Sequence, residues 1–103
     1  MESYRVKITE NARRDLRDTY SYINKELKVP EAAQRFYIDT LNSIYTLDKM
    51  PECYPIVRDE RLAEKGYRQM LVKNHIVFYT IDNEKKIVIV MRILYGRRDW
   101  LNI

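Results

Sequence analysis

A chain of 103 residues with 46% hydrophobic side chains, two Gly and three Pro has room for one core, which excludes both a disordered tract and a second domain. Its formal charge of +4 fits an acidic or polyanionic partner and says nothing about the fold. No run approaches the roughly 18 apolar residues of a membrane span, and Met1 to Lys7 holds no apolar signal segment.

A single domain over residues 1–103 is therefore expected, in the cytoplasm and without membrane contact. Cys53 is the one cysteine, so no internal disulfide or cysteine-based metal site is expected, and it reads as a small loop or core residue.

In chain order, Tyr4-Arg5-Val6-Lys7-Ile8 alternates apolar and basic residues, which predicts a short half-buried strand. Thr9 is a helix N-cap candidate with Glu10 in the first turn, where a carboxylate suits the helix dipole. Ala12, Leu16, Tyr20, Ile23 and Leu27 then recur every three or four residues as one apolar face. Arg13, Arg14 and Arg17 lie off that stripe among Asp15 and Asp18, as on a solvated, salt-bridged helix face.

Pro30 suits the first position of a second helix. Its stripe is Ala33, Phe36, Tyr37, Thr40, Leu41, Ile44 and Leu47, and Pro51 ends it. The short Lys28-Val29 link predicts an antiparallel helix hairpin. The helix tyrosines, including Tyr20 and Tyr37, read as core or core-rim residues. Residues 51–65 read as the one irregular stretch of any length, with Arg58-Asp59-Glu60-Arg61 as a wet loop.

From Gly66 on, three runs rich in β-branched and aromatic residues predict an antiparallel meander over Tyr67–Lys73, Ile76–Asp82 and Ile87–Tyr95, with Lys73-Asn74-His75 as the first hairpin loop. Gly66 to the end holds seven Lys/Arg against three Asp/Glu, so the whole positive excess falls there. The fold class is α+β in the order β-α-α-β-β-β, the helix hairpin covering one face of a small, mainly antiparallel sheet and leaving the far face partly open.

Simple alternation along the last strand puts Ile87, Ile89, Met91, Ile93 and Tyr95 on one side and Val88, Val90, Arg92 and Leu94 on the other. Arg92 then needs either a carboxylate partner or water in a concave face. The second is the expectation here, with Arg68, Arg97 and Arg98 converging near it.

Phosphate loops, nucleophile elbows and metal-binding histidine pairs are missing from the sequence. The single histidine, His75, reads as a polar turn residue. Any catalysis must run on Arg, Lys, Tyr and this His, an inventory suited to phosphodiester cleavage and equally to docking on an acidic surface.

Taken together, Tyr4-Arg-Val-Lys-Ile-Thr, Ala12 to Leu16, Tyr22-Ile23, Pro30-Glu-Ala-Ala, Lys49-Met-Pro, Gly66-Tyr67-Arg68, His75 to Tyr79 and Arg92 to Asp99 resemble the RelE/ParE superfamily of bacterial type II toxin–antitoxin toxins. The resemblance spans nearly the whole chain and rests on motif order and spacing. It implies a growth-inhibiting toxin, of the kind associated with plasmid stabilisation, held silent by a cognate antitoxin, with no cofactor and no metal.

The ribonuclease branch resembles RelE, an mRNA interferase acting on the ribosome. It uses a basic residue on the first meander strand, an arginine on the second, an arginine after the last, and a tail tyrosine or histidine. Arg68 and either Arg97 or Arg98 match two of these. Ile76 to Tyr79 and the residues after Arg98 leave the other two unmatched.

The chain therefore looks closer to the ParE branch, which poisons DNA gyrase and is not an enzyme. On that resemblance Arg68, Lys73, Arg92, Arg97 and Arg98 would meet the target, and Leu16, Tyr20, Tyr37, Leu41 and Trp100 the antitoxin. The alternative is a ribosome-dependent endoribonuclease using Arg68, His75, Arg92, Tyr95 and Arg98. A third reading keeps antitoxin binding with decayed toxicity.

Overall fold

A computed structural model describes residues 3–95. Strand β1 (Arg5–Ile8) leads into helix α1 (Glu10–Ser21), whose N-cap Thr9 accepts from the Ala12 N–H as expected. The last turn of this helix, Tyr22–Glu26, widens to π geometry, with the Leu27 N–H reaching back five residues to the Tyr22 carbonyl. That extra residue per turn rotates the stripe, so Ile23 stays buried while Leu27 is 49% exposed. Helix α2 (Pro30–Tyr45) starts at its proline as expected.

The four-stranded sheet has the order β1-β4-β3-β2, with β2 Arg68–Val72, β3 His75–Asp82 and β4 Ile87–Tyr95. β1 joins β4 in parallel and the other pairs are antiparallel. The helix pair packs Ala12, Leu16, Ala33, Phe36 and Ile44 onto Met70, Val77, Tyr79, Val88, Val90 and Ile93.

The far sheet face is not open. Residues 51–65 contain a short helix α3 (Glu60–Glu64), N-capped by Asp59, which accepts from the Leu62 N–H. Val57, Leu62 and Tyr67 lie over Phe78 and Leu94 as a second, smaller core. The expected loop is thus a lid on the sheet, because one buried leucine behind an N-cap suffices to seat a single helical turn.

Simple alternation along β4 also fails. Phe78 faces Arg92 whereas Tyr79 faces Val90, so Met91 is an extra residue, a β-bulge. Past it the faces exchange: Val88, Val90 and Ile93 share the helix side, and Leu94 joins the smaller core.

The bulge lies where β4 changes neighbours, since β1 pairs only with Ile87 to Val90 before the chain turns into α1. Thr9 and Asp15 then take the strand's place. The Thr9 N–H donates to the Val90 carbonyl and the Thr9 hydroxyl to the Met91 carbonyl, both at 3.1 Å. The Asp15 carboxylate accepts from the Ile93 N–H at 2.9 Å.

No helix among the described residues is long and apolar enough to cross a membrane.

Candidate functional site

The cationic residues expected to converge are held apart. Arg92 does not open onto water: its Nε and Nη2 donate to the two Asp15 carboxylate oxygens at 2.7 and 3.0 Å, on the β1 side of β4. Sequence spacing could not reveal this partner, because the strand edge comes to face α1 only through tertiary packing. Arg68 turns to the opposite edge of the sheet, where Nη1 donates to the Tyr54 carbonyl at 2.6 Å and the Glu52 carbonyl at 3.3 Å. It tethers the 52–54 segment to β2. Lys73 pairs with Asp39 at 2.7 Å on the exposed hairpin end. Arg97, Arg98 and Trp100 lie outside the described residues.

His75 is not a loop residue. The hairpin turns on Lys73-Asn74 alone, with Lys73 at φ +55°, and His75 opens β3 as a buried side chain. Its ring lies 4.2 Å from the Phe36 ring and 5.1 Å from that of Tyr95, centroid to centroid. Nδ1 faces the Val72 carbonyl at 3.2 Å; a carbonyl only accepts, so Nδ1 carries the proton and Nε2 presents its lone pair. Among the four described residues of the expected catalytic set, Tyr95 touches the His75 ring and lines one cavity with Arg92, while Arg68 lies at the opposite sheet edge.

Burial lowers the His75 pKa below its ordinary value near 6.5, with Lys73 adding to the effect against the Val72 carbonyl. The unfolded chain therefore takes up this proton first as pH falls. Stability from the neutral ring is complete above about pH 6.5 and declines below it, by at most ~1.4 kcal/mol per pH unit. Urea unfolding at pH 7.5 and pH 5 should show this decline in the wild-type chain, and His75→Leu should remove that share of it.

A groove wide enough to hold a partner segment lies on the outer side of the helix pair. Arg17, Tyr20 and Ser21 of α1 and Gln34, Tyr37 and Ile38 of α2 line its volume of about 700 Å³. Tyr20 and Tyr37 meet edge to face at 5.9 Å, and Tyr37 and Ile38 are 40% and 55% exposed. Of the residues expected to meet an antitoxin, Tyr20 and Tyr37 line this groove, Leu16 is 4% exposed in the main core, and Leu41 packs half-buried against that core. Ile38 escaped sequence reasoning because it lies off the core-facing stripe; an exposed isoleucine beside an aromatic was the available signal.

Among the described residues no group of three or more His, Cys, Asp or Glu could hold a metal ion.

Comparison with known proteins completes the description. The fold is shared with a toxin–antitoxin complex, RelBE2, from Mycobacterium tuberculosis, at TM-score 0.66 and 23% identity over 90% of this chain and 98% of that one. It is also shared with the chromosomal ParDE system of P. aeruginosa, at TM-score 0.76 and 17% identity over 92% and 98%. A free mutant of the E. coli toxin RelE matches at TM-score 0.59 and 14% identity over 96% and 88%. No curated protein sequence matches significantly. A family model described as the ParE toxin of type II toxin–antitoxin systems matches residues 6–100, and the chain therefore belongs to the ParE toxin family.

Proposed function

We propose that this toxin arrests bacterial growth by binding DNA gyrase and trapping its cleaved-DNA complex, without catalysis of its own, and that a cognate antitoxin silences it. The observation that carries this reading is the separation of Arg68 from the other described members of the would-be ribonuclease set. Arg68 and Arg92 turn to opposite sheet edges, each engaged within the chain, and His75 is enclosed between two rings. A phosphodiester-cleaving site needs its guanidinium groups and proton carrier around one reacting atom, within hydrogen-bond reach. Family membership supports the same branch.

On this reading the antitoxin docks on the α1–α2 groove; the paired tyrosines support it by offering rigid apolar area with polar tips, the kind of anchor on which binding energy concentrates. Inducing the chain in a bacterium and mapping nucleic-acid ends tests the target. Gyrase-linked DNA breaks with unchanged mRNA ends are expected. New mRNA ends at the ribosomal A site, without DNA breaks, would replace this reading with the endoribonuclease; normal growth would mean that toxicity has decayed.

A further inference from the structure

We infer that the cavity at the β2–β3 hairpin end is a binding pocket for one tyrosine side chain of a partner polypeptide, held through His75 and Thr40. The inference rests on the toxin–antitoxin reading only for the polypeptide's identity as the antitoxin. The cavity, about 270 Å³, lies between the end of the first helix, α2 and the hairpin, with Ile23, Phe36, Val72 and Tyr95 among its walls. Its volume lies just below the roughly 300–1,000 Å³ of typical ligand pockets, which leaves room for one aromatic side chain.

Two of its residues carry the argument. Thr40 is 0% exposed and His75 7% exposed, and neither the Thr40 hydroxyl nor His75 Nε2 has a hydrogen-bond partner among the described residues. Buried polar atoms are almost always bonded, so two orphans on one cavity mark a site completed from outside.

Their chemistry selects the visitor. Nε2 offers a lone pair and requires a donor, because Nδ1 carries the ring proton. The threonine hydroxyl can donate to an acceptor. A hydroxyl supplies both roles at once, whereas an indole N–H only donates and a carboxylate only accepts. The rings of Phe36, His75 and Tyr95 favour an aromatic body beneath that hydroxyl. The phenol of tyrosine meets every requirement.

Arg35 at the same cavity has no ion pair among the described residues, while Lys73 is neutralised by Asp39. The tyrosine is thus expected beside an acidic residue of its own chain. Both orphan atoms are screened from solvent in the free chain, so entry requires rim side chains such as the half-exposed Leu27 to give way.

The test titrates the purified full chain with p-cresol and, separately, with toluene, following the His75 ring nitrogens by NMR. We expect p-cresol to bind roughly tenfold more tightly than toluene and to shift the Nε2 resonance. Thr40→Val should lower p-cresol affinity by roughly tenfold yet raise the melting temperature by a few degrees (~5 °C), because it removes an orphan hydroxyl without changing volume. Thr40→Ser should restore the preference for p-cresol. Equal binding of the two probes, or none, overturns the proposal. So does binding of p-cresol only by a Trp100→Ala chain, which would assign the pocket to the protein's own C-terminal residues. None of these readouts depends on toxicity, so a failed gyrase experiment leaves the pocket standing or falling by itself.

Discussion

Asp15→Ala is expected to destabilise the fold by about 3 kcal/mol, the cost scale of breaking a well-formed, largely desolvated ion pair. Side-chain exposure is 14% for Asp15 and 23% for Arg92, so solvent does little to replace what is lost. The carboxylate has three donors at once, Arg92 Nε, Arg92 Nη2 and the Ile93 N–H. Removing it loses two charge-assisted bonds and leaves a strand-edge N–H without its acceptor.

Thermal unfolding should show a drop of about 15 °C for a domain of this size. Asp15→Asn should cost clearly less, because the amide oxygen still accepts from the Ile93 N–H and only the charge of the pair is lost. Equal losses from the two substitutions would mean that the ion pair, and not the capping of β4, carries the energy. A loss under 1 kcal/mol from Asp15→Ala would contradict the capping role outright.

The second large effect is expected at the helix groove. Tyr37→Ala should weaken antitoxin binding at least thirtyfold, about 2 kcal/mol, and Tyr20→Ala with Tyr37→Ala should weaken it further, though less than additively because the rings touch. Tyr37 is 40% exposed, so its removal leaves the core largely intact and the fold should persist. Growth arrest should then become resistant to co-expressed antitoxin. Calorimetry with the purified antitoxin is the check, and unchanged affinity in the double variant would move the interface elsewhere.

Much of this molecule could be read from periodicity. The stripes Ala12–Leu16–Ile23 and Ala33–Phe36–Ile44 are buried, Thr9 caps and Pro30 opens the helices as expected, and the three meander strands lie within about a residue or two of their expected bounds. These features are local, set by residues a turn or a pleat apart.

What periodicity missed is non-local. The bulge at Met91 arises because β4 loses β1 as a neighbour partway along its length, and no residue in β4 announces this. Arg92 finds Asp15 across 77 positions. The far sheet face is closed by Val57, Leu62 and Tyr67, the first two from a stretch rich in charges where scattered apolar residues carry little pattern. His75 was read from its neighbours Lys73 and Asn74, yet a two-residue turn instead of three carries it into the strand and under Phe36. The picture of a bare cationic sheet face is therefore withdrawn together with the physical argument it gave, and the toxin reading stands on family membership; the separation of Arg68 from Arg92 bears only on RNA cleavage.

The most direct measurement is supercoiling of relaxed plasmid by purified gyrase in the presence of the purified chain. Supercoiling should stop and cleaved, gyrase-bound DNA should accumulate, while ribosome-bound mRNA incubated with the same preparation stays intact. Undiminished supercoiling at saturating chain, with mRNA cut in the ribosomal A site, would contradict a non-catalytic gyrase poison.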